Sequence, residues 1–139
     1  MIAGFMWACG YGEHRVVEFL LAKGIDIAAQ DRSGQSGLHW AVIGGHPDIV
    51  KLLLRYNPPL ELKNVYGGTV LGQALWSAAH GGDPDVYIAI LEMLVAHGAM
   101  IPKRHVPVNP QIDAWLAQHG SQPEPSWYWS GEKPRRKTL

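Results

Sequence analysis

The side chains in this sequence that could do chemistry are seven histidines, a single cysteine and a few hydroxyls beside acids. A metal centre needs three or four ligands at close spacing. His80, His97, His105 and His119 are scattered near helix ends and loops. No histidine pair has tight ligand spacing, and Cys9 has no second thiolate beside it. No metal and no cofactor is therefore expected. Ser33, Ser36 and Asp31 lie close together, but in a stretch that reads as a turn using them for backbone hydrogen bonds. Gly81-Gly82 lacks the Lys-Ser/Thr that follows in a phosphate-binding loop. One catalytic alternative remains: a small hydrolase or metal-dependent enzyme built on His80 and Asp83. The reading expected is a protein that is not an enzyme.

What must position these residues is set by a repeat. A shift of 33 residues lays Gly12 on Gly45, Val16-Val17 on Ile49-Val50 and Leu20-Leu21 on Leu53-Leu54. The same shift lays Asp31 on Asn64, Gly34 on Gly67, Leu38 on Leu71 and Ala41 on Ala74. A fixed period of this size marks a stacked array. Repeats are expected at about 1–30, 31–63 and 64–104. Within the middle one, 31–34 is a turn, 36–41 starts a short helix, and Gly44-Gly45 ends it. Pro47 opens a second helix at the position where its missing N–H costs nothing. Ile49, Leu52, Leu53 and Tyr56 form that helix's apolar stripe, as Val16, Phe19 and Leu20 do in the first repeat. Gly24, Asn57 and Gly98 suit the left-handed residue that closes each repeat. The third closes eight residues late. Asp83-Pro84 starts its second helix early, so that helix should gain about a turn.

After the repeats, Asn109-Pro110 starts a capping helix over about 109–119, with Ile112, Trp115 and Leu116 inward and Asp113 and Gln118 facing water. Residues 1–120 form the domain, and 121–139 read as a flexible tail carrying Trp127, Tyr128 and Trp129. Met1–Cys9 offers Ile2, Phe5, Met6 and Trp7 with no cap before them. Terminal repeats usually turn a polar face outward. Either residues are missing upstream, or a second copy or partner covers this end.

Twelve basic residues balance 12 acidic ones, but four of the basic ones fall in the last seven residues. The body is thus weakly acidic, a poor match for nucleic acid. No apolar run is long enough to span a membrane. A lone cysteine and no basic leader fit a cytoplasmic chain.

The period, Ser36-Gly37-Leu38-His39-Trp40-Ala41, Gly45-His46 and Leu52-Leu53-Leu54 resemble the ankyrin repeat family, which carries Thr-Pro-Leu-His-x-Ala and a leucine-rich second helix. The third repeat matches with Thr69-Val70-Leu71-Gly72-Gln73-Ala74. Gly72 and Met6 depart from it, lacking the histidine that ties a turn to its neighbour. The resemblance covers residues 1 to about 101, and the long third repeat is similar to bacterial members. It implies an all-α solenoid of stacked helix-turn-helix units plus the capping helix, binding an unknown protein on a concave face of turn tips and first helices. It places Arg32, Ser33, Gln35, Ile43, Val65, Tyr66, Trp76 and Ser77 on that face, with Trp40 in packing. A more specific version is an inhibitor or immunity-type partner of another bacterial protein.

Overall fold

The computed structural model describes residues 2–124. Seven helices follow one another: α1 (Ile2–Tyr11), α2 (His14–Ala22), α3 (Gly37–Ile43), α4 (Pro47–Leu54), α5 (Val70–Ala79), α6 (Pro84–Ala96) and α7 (Pro110–Gln118). The first helices α1, α3 and α5 pack in one row. The second helices α2, α4 and α6 pack in another, and α7 closes on α6.

The 33-residue register explains why the rows form. Phe5, Leu38 and Leu71 recur one repeat apart, and all three are buried, as are Ala8, Ala41 and Ala74. In the second row Val17, Leu20 and Leu21 recur as Val50, Leu53 and Leu54, again all buried. Each large aliphatic so buried contributes about 1.5–3 kcal/mol before chain entropy is subtracted. A single helix pair has no partner for these faces, so the repeats stand only as a stack.

The start signals act as their chemistry suggests. Ser36 caps α3 by accepting from the His39 N–H, and Thr69 caps α5 by accepting from the Gly72 N–H. Asp83 and Asn109 cap α6 and α7, each followed by proline. Asn57 takes the left-handed backbone (φ 49°) that glycine takes at residues 24 and 98. The inserted residues are shared between two helices: α5 has 10 residues against seven in α3, and α6 has 13 against eight in α4.

Four expectations need correcting. Val16 and Phe19 are exposed, and Val17 takes their place inward, because α2 turns toward α4. Phe5 and Met6 are buried rather than bare; the Phe5 ring packs against Gly37 of α3. Asp113 does not simply face water. Its Oδ1 accepts from the Val108 N–H at 2.9 Å and lies 3.4 Å from His105 Nε2. The tail does not begin free at residue 121. Ser121 is buried with its hydroxyl 2.9 Å from His105 Nδ1, and β2 (Gln122–Pro123) pairs in parallel with β1 (Arg104–His105). The tail aromatics Trp127, Tyr128 and Trp129 lie outside the described residues.

Candidate functional site

The turn tips are built twice by the same device. Asp31 Oδ1 accepts from the N–H groups of Ser33 and Gln35, at 2.9 and 3.0 Å. One repeat on, Asn64 Oδ1 accepts from Tyr66 and Gly68, at 3.0 and 2.8 Å. The tips are joined by the Val65 N–H donating to the Ser33 carbonyl at 2.9 Å. Gly34 sits at the junction with φ +73°, and a Cβ there would stand 2.8 Å from the Asn64 backbone.

A buried histidine fastens the same junction. The Ser36 N–H can only donate, so His39 Nδ1 accepts, and Nε2 keeps the hydrogen it gives to the Gly68 carbonyl at 3.1 Å. Burial pushes the His39 pKa below its ordinary 6.5, so the ring is neutral. Behind it, burial pushes the Cys9 thiol up to about 12 and raises Tyr87, whose hydroxyl donates to the Val42 carbonyl at 2.8 Å. Cys9 is an inert packing residue in this state.

Between the tips and α5 lies a hollow of about 680 Å³. Three aromatic rings, Trp40, Tyr66 and Trp76, wall it, and the side chains of Gln35, Asn64 and Gln73 supply its polar groups. Trp40 is pinned by its indole N–H donating to Asp31 Oδ2 at 2.8 Å. Trp76 is 58% exposed yet held, its ring stacked on His80 at 4.0 Å with 18° between planes. A second hollow of about 260 Å³ lies beyond Trp76, against Pro102, His105, Val106 and Pro107. A third, of about 480 Å³, lies between α4 and α6, lined by Lys51, Glu92 and Met93 among others.

Of the residues expected on this face, Gln35, Ile43, Tyr66 and Trp76 line the larger hollow. Arg32, Ser33 and Val65 are exposed at the turn tips, outside its lining. Ser77 is buried, its Oγ accepting from Gln73 Nε2 at 3.3 Å, because one step along α5 from Trp76 faces inward. The sequence reading missed Trp40 and Gln73 as lining residues. The usable signal was Gly72: a residue without a side chain in a helix start leaves room beside it.

His80 and Asp83 are each committed locally. His80 Nδ1 donates to the Trp76 carbonyl at 2.7 Å, and Asp83 Oδ1 caps α6 through the Asp85 N–H. Among the described residues no three His, Cys, Asp or Glu side chains group as a metal site. No helix among them is long and apolar enough to cross a membrane.

Comparison with known proteins gives a family model, "Ankyrin repeats (3 copies)", matching residues 5–105. Among curated proteins, the chain is 38% identical over 68 residues to the E3 ubiquitin-protein ligase hecd-1 of Caenorhabditis elegans, covering 49% of this chain and 2% of that protein. It is 36% identical over 69 residues to ankyrin repeat domain-containing protein 13C of Danio rerio, covering 50% and 13%. The chain thus spans only a small part of these relatives. Among solved structures, a chain of the Bd0816 predatory endopeptidase from Bdellovibrio bacteriovorus in complex with immunity protein Bd3460 aligns with TM-score 0.61 and 37% identity. That alignment covers 70% of this chain and 47% of the other. The human ASB11 ankyrin repeat domain aligns with TM-score 0.61 and 26% identity, covering 70% and 40%.

Proposed function

This chain belongs to the ankyrin repeat family, and from that premise we propose that it holds a protein partner on its inner face, centred on the hollow between Tyr66 and Trp76. Ankyrin repeats are protein–protein interaction modules. The observation that carries the reading is Trp76: a large ring more than half exposed, yet held in place by the His80 stack. Exposed aromatics that lose little freedom on binding are the residue type that dominates interfaces. Tyr66, 85% exposed at the neighbouring turn tip, adds a second anchor. The exposed turn-tip residues Arg32, Ser33 and Val65 form the rim of the same contact. Affinity capture from a lysate with the intact chain, beside a folded Tyr66→Ala, Trp76→Ala variant, tests it. A protein retained by the first and lost by the second supports the site, and equal retention by both refutes it.

A second, narrower reading is that the partner is an enzyme and the chain its inhibitor, in the manner of an immunity protein. The complex of the Bd0816 endopeptidase with Bd3460 favours it, since a chain of that structure matches this one at 37% identity. Inhibition of the captured partner's activity by the intact chain would distinguish this reading from plain binding.

A further inference from the structure

The wall of the larger hollow is aromatic and carries no formal charge. Trp40, Tyr66 and Trp76 stand in it, and among the described residues no Asp, Glu, Lys or Arg lines it. His80 covers one face of the Trp76 ring and leaves the other to an occupant. Such a wall gives an ion no partner once water is displaced, and it suits flat apolar groups.

Two of the three side-chain amide oxygens on this wall are taken. Asn64 Oδ1 receives the N–H groups of Tyr66 and Gly68. With its oxygen so fixed, Asn64 turns Nδ2 to Gln35 Oε1, at 3.3 Å. That bond fixes Gln35 in turn: its oxygen is occupied, and Nε2 is left to donate into the hollow that Gln35 lines. Gln35 is only 7% exposed, and a donor at that depth calls for an acceptor. The Gly68 carbonyl is taken as well, by His39 Nε2 and the Asn64 N–H. The Tyr66 hydroxyl and the Trp76 indole N–H, both on lining residues, are further donors. The amide oxygen left open is that of Gln73, whose Nε2 donates to Ser77 Oγ.

A donor-rich, uncharged, aromatic wall selects the backbone it receives. An ordinary extended segment brings an N–H with every residue, and most of these would go unmatched here. A proline-rich segment brings carbonyls without those N–H groups. It holds the polyproline II form with no internal hydrogen bonds, and its rings pack on aromatic faces.

We propose that this hollow receives an uncharged, proline-rich segment of the protein partner in the polyproline II conformation. Its carbonyls accept from Gln35 Nε2, Tyr66 and Trp76, and its proline rings lie against the aromatic wall. This rests on the inner-face reading above and adds the kind of segment bound.

The test is selection from a displayed library of randomised dodecapeptides on the full-length chain, with synthetic copies of the enriched peptides titrated against it. Enriched peptides should carry several prolines and few charges. Exchanging those prolines for alanine restores the N–H groups and should weaken binding at least about tenfold. Tyr66→Phe, an exposed change that deletes only a hydroxyl, should weaken it severalfold. Raising salt from about 0.05 to 0.5 M should change affinity less than about twofold, since no ion pair is made. Enrichment without a proline excess over the unselected library, or affinity indifferent to either exchange, overturns the proposal. So does a steep loss of affinity with salt, or no enrichment over a Trp76→Ala control. Enrichment seen only after Pro125 and Pro134 are changed to alanine overturns it too, by making the chain's own tail the occupant. None of these outcomes touches whole-protein capture through Trp76; loss of that capture is what would remove the inner-face reading itself.

Discussion

His39 Nε2 donates to the carbonyl of Gly68 at 3.1 Å, tying the middle repeat's first helix to the turn of the next repeat. His46 makes the matching contact backwards, its Nε2 donating to the Gly10 carbonyl at 3.0 Å. The middle repeat is therefore fastened on both sides by histidine, and the third, with Gly72 in the corresponding place, has no side chain to make the forward tie.

Stability should fall on acidification, through His39. Its folded pKa lies below 6.5, so between that value and 6.5 the unfolded chain binds a proton that the folded chain does not. Stability then rises with pH through this window and is lost as pH falls below 6.5, by at most about 1.4 kcal/mol per pH unit for this one group. Urea unfolding across about pH 5 to 7.5 should show that slope in the native chain and a shallower one in His39→Gln.

Two glycines of equal register should differ. Gly34 and Gly67 both have positive φ, but a Cβ on Gly67 meets nothing within 4 Å, whereas one on Gly34 meets the Asn64 backbone at 2.8 Å. Gly67→Ala should cost about 1 kcal/mol of backbone strain, and Gly34→Ala about 2–3 kcal/mol. Denaturant midpoints of the two variants check the order.

Tyr87→Phe removes a buried hydroxyl that donates to the Val42 carbonyl at 2.8 Å. That carbonyl also accepts from the Gly45 N–H at 3.1 Å, so it is not left bare. The loss should be about 1 kcal/mol, read as a small drop in Tm with the helix content unchanged.

Trp76→Ala should separate stability from binding. The exposed ring adds little to the core, so unfolding should move by about 0.5 kcal/mol or less. Affinity for the captured partner should fall about 30-fold or more, the size of an interface anchor of at least about 2 kcal/mol. Calorimetric titration of the purified pair measures it.

The repeat arithmetic carried the fold because each 33-residue step places a residue of the same kind in the same environment: Phe5, Leu38 and Leu71 share one buried position. Asp31 and Asn64 likewise build the same turn. The phase of a helix was harder. Val16 against Val17 and Ser77 against Trp76 depend on which neighbour packs, and a repeat register does not state that. The contact between His105 and Ser121 joins two segments outside the repeat, so no periodicity announced it. The hollow itself was not legible, because Trp40 reads as packing and Gln73 enters only as part of the third repeat's helix start.

Whether the partner sits on the inner face is decided by amide hydrogen exchange of the chain alone and with its captured partner. A partner seated there slows exchange over residues 64–68 and in α5, around Tyr66 and Trp76, and leaves the outer hollow of α4 and α6 unchanged. Protection confined to Lys51, Glu92 and Met93 and their neighbours, with α5 exchanging as in the free chain, would contradict it.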